Sequence, residues 1–250
     1  FDIGTAKPSK EHQNLVKFHL IDVADPAKGF SAAEFKKLAN TSINDIRQRG
    51  KLPIICGGTG LYIDSLVYDY QFLPPGTTGQ RESLNALSII ELIQIIEERG
   101  FDLSGIDRRN KRRLIRLIET GGAKPVKNET LPEKCIYLCI KLGSESLNAN
   151  IEKRVDHMIE AGLENEVRIL ADRYGWDVEP MKGIGYQEWR HYFSGEDTIE
   201  SVKTQIISNT KSLSKRQMTW FKRNKDIQWI LNQSEAEQVI SRKIHWFDTM

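Results

Sequence analysis

What this sequence lacks narrows its chemistry before anything present is weighed. No apolar run approaches the roughly 20 residues that a membrane span needs. The opening Phe1-Asp2-Ile3-Gly4 has neither the basic start nor the apolar centre of a secretory signal. There is no Cys-x-x-Cys pair and no neighbouring histidine pair, so the spacing describes no metal site. The three cysteines, Cys56, Cys135 and Cys139, lie in apolar, strand-like runs, as buried free thiols of a reducing cytosol would. His12, His19, His157, His191 and His245 are scattered. A Gly-x-Ser-x-Gly nucleophile turn and a Gly-x-x-x-x-Gly-Lys-[Ser/Thr] phosphate loop are both missing. So are internal repeats, low-complexity segments and an initiator methionine. Because the chain starts inside a motif, we expect its natural N-terminus to lie upstream of Phe1.

What is present is enough for a packed core. Of 250 residues, 39% are hydrophobic and 28% charged, which fits one α/β domain with an insertion or two small domains. The segment Ile54-Ile55-Cys56-Gly57-Gly58-Thr59-Gly60-Leu61-Tyr62 passes from an apolar run into three glycines and a threonine, then becomes apolar again. Such a turn suits a strand feeding a helix, where glycine permits positive φ or close approach of another group. It can be a ligand cradle at the end of a sheet strand or a plain connection.

Around it the rhythm is strand, helix, strand. Phe18–Val23 and Leu52–Cys56 are the strand candidates. Ser31 and Glu34 open a helix whose Phe35, Leu38, Ala39, Ile43 and Ile46 recur at helical spacing. That order predicts a parallel α/β sheet. Helices are further predicted over Ser83–Arg99 and Arg108–Glu119, after a Pro- and Gly-bearing hinge at 71–80. Cys135–Leu142 is expected as a central strand, apolar on both faces. Helices follow from Leu147 to Gly162, from Leu163 to Tyr174 and from Ile199 to Phe221, with a weaker tail beginning at Trp229.

The formal net charge is only +2, but two windows hold no acid. One contains Arg108, Arg109, Lys111, Arg112, Arg113 and Arg116; the other contains Lys211, Lys215, Arg216, Lys222, Arg223 and Lys225. Each alone could be a solvated face. Two in an almost neutral chain leave the remainder acidic, a polarised field that suits an anionic polymer. Trp220, Phe221 and Tyr186 lie near enough in sequence to stack on bases, although Trp220 also sits on the apolar stripe of its helix. Residue patterns alone stop at an α/β nucleic-acid-binding protein.

Several segments, in order, resemble one family. They are Asp2-Ile3-Gly4-Thr5-Ala6-Lys7-Pro8, His19-Leu20-Ile21-Asp22, Phe30-Ser31-Ala32-Ala33-Glu34-Phe35 and Gly57-Gly58-Thr59-Gly60-Leu61-Tyr62. Arg112-Arg113-Leu114-Ile115-Arg116, Gly183-Ile184-Gly185-Tyr186 and Lys215-Arg216-Gln217-Met218-Thr219-Trp220-Phe221 complete the series. Together they are similar to the tRNA dimethylallyltransferases, also called tRNA isopentenyltransferases. The resemblance implies a P-loop-kinase-like parallel sheet flanked by helices, with a helical insertion domain. It places the α/β core at 1–70 and 131–230, the insertion that meets the anticodon stem-loop at 71–130, and a tail at 231–250. It implies transfer of a dimethylallyl group from dimethylallyl diphosphate, with Mg²⁺, to a flipped-out adenosine 3′ of the anticodon. The enzyme is expected to be a cytoplasmic monomer of bacterial type.

Carried over residue by residue, Thr59 would face the flipped nucleotide and Arg216 the leaving diphosphate. Arg81, Arg112, Arg113, Leu114, Ile115 and Arg116 would form one tRNA-contacting set. Lys182, Gly183, Ile184, Gly185, Tyr186 and Gln187 would form a second. Lys215, Gln217, Met218, Thr219, Trp220, Phe221 and Lys222 would form the third. The family's phosphate loop and its general-base aspartate both belong upstream of the Asp-Ile-Gly-Thr segment, and Asp2 does not inherit the base's role. Residues 1–250 alone are therefore expected to be inactive. A non-catalytic RNA-binding relative and an adenylate isopentenyltransferase are the alternatives.

Overall fold

Ser31 begins the best-signalled element of the chain. Its side chain accepts the Glu34 N–H while the Glu34 carboxylate accepts the Ser31 N–H, a closed capping box at the head of a helix over Ala32–Gln48. The computed structural model describes residues 1–5, 7–74 and 76–243. In chain order its helices and strands are α1 (Lys10–Leu15), α2 (Ala32–Gln48), α3 (Gly60–Val67), α4 (Thr78–Ala86), α5 (Ile89–Glu98) and α6 (Lys111–Glu119). Then come β1 (Leu138–Ile140), α7 (Ser144–Glu160), α8 (Leu163–Tyr174), α9 (Trp189–Phe193), α10 (Ile199–Phe221), β2 (Gln228–Ile230) and α11 (Gln233–Lys243). Ala6 of the signature, and Trp246 and Phe247 of the tail, lie outside the described residues.

The strands expected on either side of α2 are not formed. In 18–23, Leu20 and Asp22 take φ of 61° and 55°. Two left-handed non-glycine residues turn the backbone away from an extended path. Residues 52–56 have no ladder partner among the described residues, and Ile54 remains 82% exposed. An apolar run becomes a strand only when a neighbour supplies partners for its N–H and C=O groups.

The strand expected over 135–142 shortens to β1. It pairs in parallel with β2 in the register Leu138–Gln228, Cys139–Trp229 and Ile140–Ile230. Trp229 thus belongs to the sheet rather than opening a tail. β1 has one partner among the described residues, and Ile140 is 61% exposed, so its place as a fully buried central strand is corrected. Cys56 is likewise exposed rather than buried, whereas burial raises the thiol pKa of Cys135 and of Cys139.

The helix expected over 83–99 is two helices. Leu87 is extended at the end of α4, and Ser88 starts a new capping box with Glu91 at the head of α5. Gly121 and Gly122, with φ of 61° and 84°, close the turn after α6.

The chain divides into two compact units, 1–67 with 131–250, and 68–130. In the larger unit, α7, α8, α9 and α10 pack around Val155, Leu163, Val167, Met181, Trp189 and Val202. In the smaller unit, α4, α5 and α6 enclose Leu92, Ile96, Leu114 and Ile115. No helix among the described residues is long and apolar enough to cross a membrane.

Candidate functional site

In the larger unit, the glycine turn is built against α10. A Cβ on Gly58 would lie 2.4 Å from Nε2 of Gln217, and one on Gly60 would lie 2.3 Å from the Trp220 ring. Neither glycine has a positive φ. Gly58 and Gly60 are therefore glycine because α10 presses on the turn at those two positions. Gln217 Nε2 donates to the Gly58 carbonyl at 3.1 Å. The Thr59 carbonyl accepts the N–H groups of Tyr62 and Ile63 and starts α3, leaving the Thr59 side chain exposed.

A buried carboxylate fixes this contact. Asp64, 7% exposed on α3, accepts the Trp220 indole N–H at 2.7 Å and the Tyr137 hydroxyl at 3.1 Å. Tyr137 is the residue just before β1, and its ring meets Phe221 edge-on at 6.4 Å between centroids. The signature at 215–221 thus divides by side. Gln217 and Trp220 grip the turn, and Phe221 is 6% exposed in the core. Lys215, Arg216 and Thr219 are exposed, as is Lys222 just after the helix, while Met218 is half-buried. Sequence reasoning placed Gln217, Trp220 and Phe221 among RNA contacts; the structure gives their side chains packing roles. Asp64 was missed, because a lone acid in an apolar helix carries no motif.

The basic window of α10 is also thinned by its neighbour α7. Lys211 pairs with Glu152 at 2.8 Å, and Lys203 of α10 pairs with Asp156. Lys215, Arg216, Lys222, Arg223 and Lys225 remain exposed beyond those pairs.

The segment 182–187 follows a short 3-10 turn, Glu179–Lys182. Lys182 and Gln187 are exposed, Gly183 and Ile184 half-buried, and Gly185 and Tyr186 buried. Tyr186, 2% exposed, cannot offer its ring to a base as placed, which corrects that expectation. Burial raises its phenol far above the usual tyrosine range, and the hydrogen bond to Glu166 adds to the shift. The buried carboxylate of Glu188 accepts the Gly185 N–H at 2.8 Å and Asn209 Nδ2 at 2.7 Å, tying the segment to α10.

In the smaller unit, α6 separates its two faces sharply. Leu114 and Ile115 are 0% and 1% exposed in the apolar core, so they are corrected from RNA contacts to core residues. Arg112 and Arg113 are exposed. Lys111 Nζ donates to the Asn85 carbonyl at 2.7 Å. The fully buried side chain of Glu119 holds Arg81 at 3.0 Å and Arg116 at 3.3 Å. Arg116 also donates to the Leu73 carbonyl. Arg116 is therefore partly a tie for the hinge loop, while Arg81 keeps 46% of its side chain exposed.

Among the described residues, no group of three or more His, Cys, Asp or Glu side chains is gathered where a metal ion could be held.

The chain is similar to several known proteins. The family model described as IPP transferase matches residues 1–224. The tRNA dimethylallyltransferase of Anoxybacillus flavithermus is 36% identical over 259 residues, spanning 99% of this chain and 83% of that protein. The tRNA dimethylallyltransferase of Bacillus cytotoxicus is 37% identical over 91% of this chain and 77% of that protein. Among solved structures, the full-length tRNA isopentenylpyrophosphate transferase of Bacillus halodurans superposes with a TM-score of 0.72 at 29% identity, covering 99% of this chain and 85% of that one. A eukaryotic dimethylallyltransferase acting on tRNA, at 21% identity and a TM-score of 0.74, shares the fold. The α/β arrangement described above is that of these enzymes, and the chain belongs to the IPP transferase family.

Proposed function

We propose that this chain, joined to the family's phosphate-loop segment, transfers a dimethylallyl group from dimethylallyl diphosphate to N6 of the adenosine 3′ of the anticodon, in tRNAs reading codons that begin with U. The observation that carries the reading is the family match over residues 1–224. The joining of two of its motifs, the glycine turn and α10, through Gln217, Trp220 and Asp64 adds support. In the reaction the N6–C1 bond forms and the C1–O bond of the diphosphate ester breaks. The diphosphate leaves with the bonding electrons, and N6 gives up a proton.

Arg216 is proposed to meet the charge growing on the leaving diphosphate, since a guanidinium stabilises such an oxyanion most in the transition state. Thr59, exposed at the head of α3, offers a hydroxyl to the flipped nucleotide. Lys182, Gln187, Lys215 and Lys222 on the larger unit are proposed to hold the RNA backbone. Arg81, Arg112 and Arg113 on the smaller unit are proposed to hold the anticodon stem. Mg²⁺ is proposed to accompany the diphosphate, where it would offset the charge of the leaving group. The protein is proposed to act as a monomer.

The sequence contains no phosphate loop, and the Asp2 carboxylate is engaged by Lys7 at 2.5 Å. For residues 1–250 assayed alone we therefore expect anticodon stem-loop binding with no measurable transfer; measurable prenyl transfer by this chain would refute that. Joining a family member's phosphate-loop segment ahead of Phe1 should restore transfer. In that chimera Arg216→Ala should lower kcat by about 10²–10³-fold, the usual loss of an oxyanion-stabilising group. Normal turnover at saturating tRNA would exclude Arg216 from the role. A chimera that binds the stem-loop but never transfers would favour the second reading, a non-catalytic RNA-binding relative. Transfer to free AMP in preference to the stem-loop would favour an adenylate isopentenyltransferase, which has no use for two exposed basic helix faces.

A further inference from the structure

The Asp2-Ile3-Gly4-Thr5 opening takes no part in the chemistry above, yet one side chain organises it. Glu166, in the first turn of α8, receives the N–H of Asp2 at 3.0 Å and that of Ile3 at 2.9 and 3.1 Å. It also receives the N–H of Gly4 at 3.3 Å and the hydroxyl of Tyr186 at 2.8 Å. Three successive amides turned toward one point form a nest, a shape suited to an anion. Here the anion is the chain's own carboxylate.

The residue types of the opening follow from this contact. A Cβ on Gly4 would fall 2.5 Å from the Tyr186 ring, so only glycine lets the two segments meet. Gly185 has a φ of +95°, and a Cβ there would stand 3.3 Å from the Gly4 carbonyl oxygen. Phe1 closes the other side, its ring centroid 4.9 Å from that of Tyr186. Lys7 carries the tie onward, its Nζ 2.5 Å from Asp2 and 2.6 Å from Asp22. The opening, α8 and the 182–187 segment thus converge on one carboxylate.

We propose that Glu166 is a positioning residue for the RNA-contacting segment Lys182–Gln187. By holding the Asp2–Gly4 amides and the Tyr186 hydroxyl at once, it makes the opening and that segment move as one body. Exposed Lys182 and Gln187 are thereby set in place from beneath. The inference rests on the RNA role assigned to that segment under the proposed function.

The test uses the full chain, with amide hydrogen exchange and binding of an anticodon stem-loop as its two readings. Glu166→Ala should speed exchange in both 2–5 and 183–188 and weaken stem-loop binding by about tenfold, the order expected when charge-assisted hydrogen bonds are lost. Glu166→Gln keeps one acceptor oxygen but turns an N–H₂ toward the remaining donors, so it should recover only part of that affinity. Across the two variants, stem-loop affinity should follow exchange in 183–188 rather than the unfolding midpoint. Faster exchange confined to 2–5, with unchanged stem-loop affinity, would overturn the proposal. If Glu166→Ala does not fold, Tyr186→Phe keeps the ring against Gly4 and removes only the hydroxyl. It should loosen both segments, and loosening neither would overturn the coupling. Failure of the unsubstituted chain to bind the stem-loop would instead overturn the RNA reading, and the exchange result would still decide whether Glu166 couples the two segments.

Discussion

At the scale of single residues, the glycine turn separates two reasons for glycine that a sequence shows as one. Gly58 and Gly60 are pressed by Gln217 and Trp220, whereas a Cβ on Gly57 meets nothing within 4 Å. Gly60→Ala should therefore lower stability by about 1–3 kcal/mol, the usual cost of overpacking, while Gly57→Ala is tolerated; urea unfolding of the pair checks this. Asp64→Ala removes the acceptor of the Trp220 N–H and of the Tyr137 hydroxyl and should cost about 1–3 kcal/mol in the same assay. Asp64→Asn, which keeps an acceptor, should cost less. Tyr186 adds a pH dependence. Its folded-state pKa is raised, so its contribution to stability is complete below the ordinary tyrosine pKa of about 10 and declines as pH rises above it. Unfolding midpoints should fall in alkali, and less steeply in Tyr186→Phe. None of these partnerships could be found from sequence, because Asp64 with Trp220 and Glu166 with Gly4 meet across more than 150 positions.

At the scale of elements, what the sequence made legible was local. The capping box at Ser31, the ends of α10 and the glycine stops after α6 and α7 depend on neighbours within a turn, and each is where periodicity and capping put it. The second capping box, Ser88 with Glu91, was equally readable and was hidden inside one long apolar pattern. Ser88→Ala should cost about 1 kcal/mol, read as a lower unfolding midpoint. Strands were misjudged because a strand is defined by its partner. Residues 52–56 have the composition of a strand and no ladder partner among the described residues, while the three residues Gln228–Ile230 gain one from β1. The basic helix α6 was legible by face. Leu114→Ala should destabilise by about 2–5 kcal/mol, whereas Arg113→Ala should leave stability unchanged and weaken RNA binding. Periodicity over Arg108–Glu119 gives Leu114, Ile115, Leu117 and Ile118 as the apolar side, and those four are the ones buried; the family resemblance, not the pattern, drew Leu114 and Ile115 into the RNA set.

At the scale of the whole molecule, the ordered motifs point to the family by themselves, because each is a local string. Several residues of these motifs are buried, among them Leu114, Ile115, Tyr186 and Phe221. What remains exposed is a set of cations on α6, beside 182–187 and on α10. Function therefore turns on whether those cations carry an anionic RNA. The most direct measurement is the affinity of residues 1–250 for an anticodon stem-loop as a function of salt. The predicted result is a linear fall of log K with log salt, with a slope of about −0.7 to −0.9 per phosphate contacted. Arg113→Ala and Lys222→Ala should each reduce the slope by about 1. A flat salt response, or slopes unchanged by both substitutions, would contradict the account.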